Sequence, residues 1–226
     1  MTSPALSELE RRLGLSFKNT DLLAAAVTHC SAGKQNYERL EFLGDGILNA
    51  VIAAALFQLR KKASEGDLSR LRASLVREST LASIARELSL KDFIQVGPGE
   101  SGSHRRDSVL ADVLEAIIGG VFLDSGFDQA QSLVMRLFDK RLQDLPDAES
   151  LKDAKTRLQE YLQARERPLP EYEVKQMTGP AHKRQFEVVC CLTDQDQQTT
   201  AQGTSRRRAE QAAAAAMLEQ VLHVNA

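Results

Sequence analysis

Cysteine is scarce in this chain: Cys30, Cys190 and Cys191 are the only three among 226 residues, and no two stand in a C-x-x-C spacing. An odd count without that spacing excludes a zinc knuckle and a disulfide framework, so reduced packing residues are expected. No apolar run is long and charge-free enough to span a bilayer. The opening Met1-Thr-Ser-Pro-Ala-Leu-Ser-Glu8 also lacks the basic start and apolar core of an export signal. A cytoplasmic chain without membrane association is therefore expected. An excess of positive charge is missing too. Lys and Arg number 29 against 31 Asp and Glu, a formal net charge of −2, so the distribution of charge matters more than its sum. Residues 151–226 carry 11 basic and 10 acidic side chains, whereas residues 1–150 carry 18 and 21. A hydrophobic content of 42% is ordinary for a soluble protein, and the length allows one or two domains with real cores.

What is present is a pattern of acids. In Asn36-Tyr-Glu-Arg-Leu-Glu-Phe-Leu-Gly-Asp-Gly-Ile-Leu48, Glu38, Glu41 and Asp45 are spaced three and then four apart, which stacks side chains on one helical face. At about 100° per residue they fall in a roughly 60° wedge, with Leu40, Leu43, Ile47 and Val51 roughly opposite. A solvated acidic edge would explain this segment if it stood alone. A second segment, 109–123, is apolar on every side except at Asp112 and Glu115, and a helix hydrophobic all round is normally buried. Burying ionised carboxylates costs several kcal/mol each unless a cation or hydrogen bonds compensate them. An Arg or Lys partner is one solution. The sharper one is that this pair and the first acidic face meet around hard divalent cations such as Mg²⁺, which accept carboxylates and keep positions for phosphate oxygens. Phosphoester hydrolysis is the chemistry that uses such sites.

At these residues the chain resembles bacterial ribonuclease III, the endonuclease of double-stranded RNA. Glu38-Arg-Leu-Glu-Phe-Leu-Gly-Asp45 resembles that family's signature helix, and Leu110-Ala-Asp-Val-Leu-Glu-Ala-Ile-Ile-Gly-Gly-Val-Phe-Leu-Asp124 its second acidic helix. The resemblance continues through Thr28-His29, Gly66-Asp-Leu-Ser-Arg-Leu-Arg-Ala-Ser-Leu-Val76 and Val96-Gly-Pro-Gly-Glu100. It departs at Gly46, where family members commonly have Ser.

The fold expected is an all-α endonuclease domain, residues 1–147, a linker over 148–152, and a small α+β domain over 153–226. Apolar periodicity predicts helices near 7–13, 21–29, 37–57, 68–77, 80–88, 108–123 and 127–142. Asp107 or Ser108 is the expected N-cap of the second acidic helix. Gly44 and Gly46 inside a helix each cost roughly 0.5 to 1 kcal/mol relative to Ala, and close helix approach is the expected reason. After the linker the period changes. A helix over 154–163 precedes period-two strands at 171–177 and 185–192, a third strand at 197–202, and an Ala-rich helix at 205–222.

This α-β-β-β-α order resembles the double-stranded RNA-binding domain. Arg206, Arg207 and Arg208 stand at a helix N-terminus, where the dipole and free N–H groups favour phosphate. The resemblance implies that Thr156, Gln159 and Glu160 face one minor groove and that His182 reaches the next, a readout of shape and 2′-hydroxyls. Glu210 departs from domains that carry a Lys there, which weakens the electrostatic attraction.

The resemblance also implies the roles. Glu41, Asp112 and Glu115 match metal ligands; Asp45 matches an essential acid, Glu38 a supporting one, and Glu115 carries the largest catalytic penalty. Glu65 is expected nearer the RNA than the metal. The cofactor implied is Mg²⁺, with Mn²⁺ as a substitute and no organic cofactor. The implied enzyme is a homodimer whose two sites each cut one strand of double-stranded RNA, leaving 5′-phosphates and short 3′ overhangs, in processing ribosomal RNA precursors and some mRNAs and tRNAs. Phe42-Leu43 and residues 117–123 are the apolar candidates for the dimer face. A catalytically inactive RNA-binding regulator is disfavoured because all five acids are present. A helical nucleotide pyrophosphatase is disfavoured by the C-terminal module.

Overall fold

The computed structural model describes residues 4–100, 102–180 and 183–223. The chain divides into two compact units, one running through Leu151 and one beginning at Lys152. The first contains helices α1 (Pro4–Leu13), α2 (Thr20–Ala26), α3 (Glu38–Leu59), α4 (Glu65–Val76), α5 (Glu78–Glu87), α6 (Asp107–Ser125) and α7 (Phe127–Gln143). Ala148–Leu151, within the stretch expected as a linker, is a 3-10 turn, and Ala148 and Leu151 pack against the core of the first unit.

Several helix ends differ from the sequence expectation for local reasons. α2 stops at Ala26 rather than continuing to His29, because Thr28 leaves to form a parallel bridge with Gln95. There the His29 N–H donates to the Gln95 carbonyl at 2.9 Å, and the Gln95 N–H to the Val27 carbonyl at 2.8 Å. α4 starts at Glu65 because Ser64 and Asp67 form a reciprocal capping box. The N-cap of α6 is Arg106, which makes no side-chain cap bond. Asp107 lies inside the first turn of α6 instead and pairs with Arg86, placing a negative charge at the positive end of the helix.

α3 and α6 are the most extensively packed pair of helices, and they form the middle of the core. α3 has 22 residues, and an 18-residue window within it has a mean hydropathy of 1.7, enough by length and composition alone to cross a membrane. Its first turns carry three acids, however, and Leu40, Gly44, Ile47, Leu48, Val51, Ile52 and Leu56 are buried within the unit. α6 is buried along Val109–Ala111, Val113–Leu114 and Ala116–Val121, interrupted at Asp112 and Glu115. The two helices touch backbone to backbone. A Cβ on Gly44 would lie 1.8 Å from the Glu115 carbonyl oxygen, and one on Gly119 would lie 2.2 Å from that of Leu40. Gly46 is different: nothing lies within 4 Å of the Cβ it lacks, so close approach does not explain it.

The second unit holds α8 (Ala154–Gln163), the strands β1 (Glu171–Thr178), β2 (Gln185–Leu192) and β3 (Gln197–Gly203), and α9 (Arg206–His223). The sheet is antiparallel in the order β1-β2-β3. Asp153 caps α8, accepting from the Thr156 N–H. Leu158, Leu162, Cys190, Leu192, Ala213, Ala214, Met217, Leu218 and Val221 form its core. The expected alternation fails in β2, where Val188, Val189 and Cys190 are all buried, because a central strand is covered by neighbours on both edges. It fails in β1 as well, where Tyr172 alone is even half-buried. Of the cysteines, Cys190 does pack in the core and Cys191 is half-buried, but Cys30 is exposed and is no packing residue.

The two glycines of α3 give opposite expectations. Gly44→Ala has to separate α3 from α6 and should lower the melting temperature sharply. Gly46→Ala should raise stability by about 0.5 to 1 kcal/mol, the ordinary gain of replacing a helical Gly with Ala. Thermal melting of both variants decides; equal effects would refute the close crossing.

Candidate functional site

The crossing of α3 and α6 brings together acids that are 71 or more positions apart in the chain. One carboxylate oxygen from each of Glu41, Asp112 and Glu115 lies within 4.8 Å of the other two, and all three residues are half-buried. Among the described residues no Lys or Arg pairs with any of them, so the structural alternative of a basic partner is not what the protein uses. The electrostatic consequence is a set of carboxyls that hold their protons too tightly. Burial, then the charges of Asp45, Glu41 and Asp112, push Glu115 up to about 8. Burial, then Asp112, Glu38 and Asp45, raise Glu41, and burial also raises Asp112. Unbalanced negative charge, three convergent oxygens and partial exclusion of water suit a hard divalent cation.

The other two expected acids flank this trio. Asp45 is exposed one turn along α3 and accepts from Asn49 Nδ2 at 2.7 Å. Glu38 is exposed in the first turn, where the Asn36 side chain accepts its backbone N–H at 3.1 Å. Neither is among the three convergent residues. Glu65 opens α4, exposed, and accepts from the Ser69 hydroxyl at 2.7 Å; it is not part of the trio either.

Three neighbours were missed from sequence. Tyr37, only 5% exposed, donates its hydroxyl to Asp112 at 3.4 Å. Burial and the adjacent Asp112 raise the pKa of that hydroxyl, which keeps it a donor. His29 packs edge-on against the Tyr37 ring at 5.7 Å and is electrostatically favourable to Asp112, whereas Glu78, the first residue of α5, is unfavourable. The Thr28-His29 motif and the position of Tyr37 beside Glu38 were the signals available.

In the second unit, Gln159 and Glu160 are exposed on α8 and Thr156 is half-buried. Glu160 is held by Lys152 at 2.5 Å. Arg206, Arg207 and Arg208 are exposed on the first turn of α9. Arg206 pairs with Glu210 at 2.8 Å, and Arg208 bonds the Thr204 hydroxyl at 3.0 Å. His182 lies outside the described residues.

Known proteins carry both halves. Residues 19–142 match the family model described as ribonuclease-III-like, and residues 154–221 match the one described as double-stranded RNA binding motif. The Vibrio cholerae protein named Ribonuclease 3 is 50% identical over 196 residues, 86% of this chain and 87% of that protein. The Shewanella amazonensis protein of the same name is 53% identical over 191 residues, 84% of each. Among solved structures, the nuclease domain of a ribonuclease III from Campylobacter jejuni aligns with a TM-score of 0.60 and 43% identity, covering 64% of this chain and all of that one. A second structure of that nuclease domain, described for flexibility in a region involved in dimer formation, aligns with a TM-score of 0.58 and 46% identity over 60% of this chain and 96% of that one.

The raised pKa values set a pH dependence for the metal-free protein. A carboxyl whose folded pKa lies above its ordinary value stabilises the fold while protonated and loses that contribution as pH rises. Stability should therefore fall between pH 4.5 and about 8 in chelator, the window of Glu115. A divalent cation, which binds the deprotonated acids, should flatten the slope. Melting temperatures across that range, with and without the cation, test this; identical slopes would remove the trio as a cation site.

Proposed function

The chain belongs to the ribonuclease III family and is an endoribonuclease of double-stranded RNA, and from that premise we propose that Glu41, Asp112 and Glu115 hold Mg²⁺ or Mn²⁺ for phosphodiester hydrolysis. The observation that carries this reading is the convergence of their three oxygens within 4.8 Å with no basic partner among the described residues. When bound, the cation supplies Lewis-acid polarisation of the scissile phosphate and offsets the charge that builds in the transition state.

The chain's own residues supply position. Tyr37 fixes one oxygen of Asp112, and Asn49 orients Asp45, whose charge reaches Glu115. Glu38 and Asp45 form the exposed rim on which a duplex backbone would approach. Attack by water at phosphorus with departure of the 3′ oxygen leaves a 5′-phosphate and a 3′-hydroxyl, and no covalent enzyme intermediate is needed. We assign Thr156, Gln159, Arg206, Arg207 and Arg208, with His182, to the duplex-binding face, and processing of ribosomal RNA precursors and some mRNAs and tRNAs in the cytoplasm to the physiological role. Incubation with a long RNA duplex, with and without Mg²⁺, tests the whole reading. Short products with 5′-phosphates and 3′ overhangs are expected in Mg²⁺ only.

Glu115→Gln separates chemistry from structure. It keeps the volume, removes a charge from a repulsive cluster, and should abolish cleavage while duplex binding and the metal-free melting temperature hold or rise. A hidden basic partner predicts instead a loss of about 3 to 5 kcal/mol from the stranded charge. A variant that cuts normally in Mg²⁺, or that has unfolded, overturns the ligand assignment.

Two sites per duplex require two copies of the chain. Phe42 is 83% exposed and Leu123 54%, unusually bare for large apolar residues, and both line one cleft of about 840 Å³ with Leu40, Leu43 and Arg39. Ile117 and Ile118, by contrast, are fully buried in the core and are withdrawn from the dimer face expected from sequence. We place the homodimer contact at Phe42 and Leu123. Phe42→Glu, at an exposed position, should fold normally and sediment as a monomer where the parent chain sediments as a dimer. A parent chain that is monomeric at micromolar concentration would remove the claim.

A further inference from the structure

Glu210 sits near the start of α9 with its side chain only 13% exposed, and both of its oxygens are taken by cations. Lys155 Nζ, from the first turn of α8, lies 2.7 Å from Oε2, and Arg206 Nε lies 2.8 Å from Oε1. These pairings hold the Glu210 carboxyl below its ordinary pKa, the Lys155 hydrogen bond foremost. Lys155 is further fixed over the Tyr172 ring at 4.1 Å. Gln211 ties the same corner by accepting the Lys155 backbone N–H at 3.2 Å and donating to Asp153 at 2.9 Å. Arg208 differs from Arg206: it bonds the Thr204 hydroxyl, and among the described residues no carboxylate pairs with it. The corner that presents three consecutive arginines to solvent therefore contains an acid whose single negative charge is shared between one of them and the adjacent lysine.

We propose that Glu210 is an affinity-setting residue for double-stranded RNA, an internal carboxylate that competes with RNA phosphate for Lys155 and Arg206. The proposal rests on the assignment of this corner to the duplex-binding face. Its physical basis is counterion release. A cation contributes to salt-dependent binding by neutralising a duplex phosphate and so releasing the counterion condensed there, about 0.9 in the slope of log K against log salt per contact on a B-form duplex and of that order here. A cation whose partner is a half-buried carboxylate of the same protein contributes less, because the duplex has to displace that partner. Glu210 thus holds affinity and salt dependence below what the number of basic side chains would give. Duplex release after cleavage is correspondingly easier.

A double-mutant cycle on the full chain tests this, read as duplex RNA binding over a series of salt concentrations in chelator so that no cleavage occurs. Glu210→Gln should tighten binding several-fold at fixed salt and steepen the slope by roughly one to two units. Arg206→Ala should change the slope little in the parent chain but by about one unit in the Glu210→Gln background. Arg208→Ala should flatten it in both. If Arg208→Ala and Arg206→Ala leave the slope unchanged in every background, the corner does not meet RNA and the underlying assignment fails. If Arg208→Ala acts as expected while Glu210→Gln weakens binding or leaves it alone, Glu210 is a strut that positions the cations, and the proposal is overturned. Should Glu210→Gln lose its helical circular dichroism, Lys155→Gln decides from the other side of the pair: a slope loss as large as that of Arg208→Ala refutes the internal competition.

Discussion

The contact on which the catalytic unit depends is the passage of α3 against α6 at Gly44 and Gly119. Each glycine faces the backbone of the opposite helix, Gly44 the Glu115 carbonyl and Gly119 that of Leu40, at separations no Cβ tolerates. Helix axes that approach so closely carry their neighbouring side chains with them. Glu41, one turn before Gly44, and Glu115, one turn before Gly119, are therefore pressed toward a common point, and Asp112 follows three residues before Glu115. A larger residue at either glycine would push the helices apart and spread the three oxygens. The helix-propensity cost of Gly is accepted here because the alternative loses the site.

The same crossing explains why the carboxyls are electrostatically uncomfortable. Helices packed at backbone contact leave little room for water between them, so Glu115 and Asp112 interrupt a stretch otherwise buried from Val109 to Val121. Most carboxylates of this protein whose pKa departs from the ordinary value are held low by a basic or hydrogen-bonding partner, as Asp67 is by Ser64 and Arg70 and Glu87 is by Arg141. The trio runs the other way, held high by burial and by one another. That contrast within one chain sets the trio apart from the acids that pair with bases, as the proposed cation site requires. A cluster of solvated acids would lack this burial, and water would screen its mutual repulsion.

Much of the helical order was legible because apolar periodicity reports the buried face directly: Leu40, Ile47 and Val51 are buried and the acids lie away from them. The i, i+3 placement of Asp112 and Glu115 in an apolar helix was legible for the same reason. Helix ends were not, because they depend on tertiary partners: α2 yields Thr28 to Gln95, and Asp107 leaves the cap to pair with Arg86. The roles of Tyr37 and Gly119 were invisible because each is defined by a residue in the other acidic segment, 75 and 79 positions away. Strand burial misled where β2, as the middle strand, is covered on both sides.

Net charge is uninformative for a related reason. A sum over the chain treats every Lys and Arg as equally available to a polyanion, yet Arg86, Arg141, Lys152, Lys155, Arg167 and Arg206 each pair with an acid, at side-chain exposures from 12% to 65%. The more exposed of these pairs, such as Arg86 with Asp107, add little stability, about 0 to 1 kcal/mol each. They do reduce the field that an approaching duplex meets. A protein that has to bind a uniformly charged polymer and then release its pieces is better served by a few available cations at a helix N-terminus than by a strongly basic surface. Weak net charge is therefore compatible with RNA binding here if, as proposed, the duplex meets the cations at the start of α9, where the local field counts for more than the total.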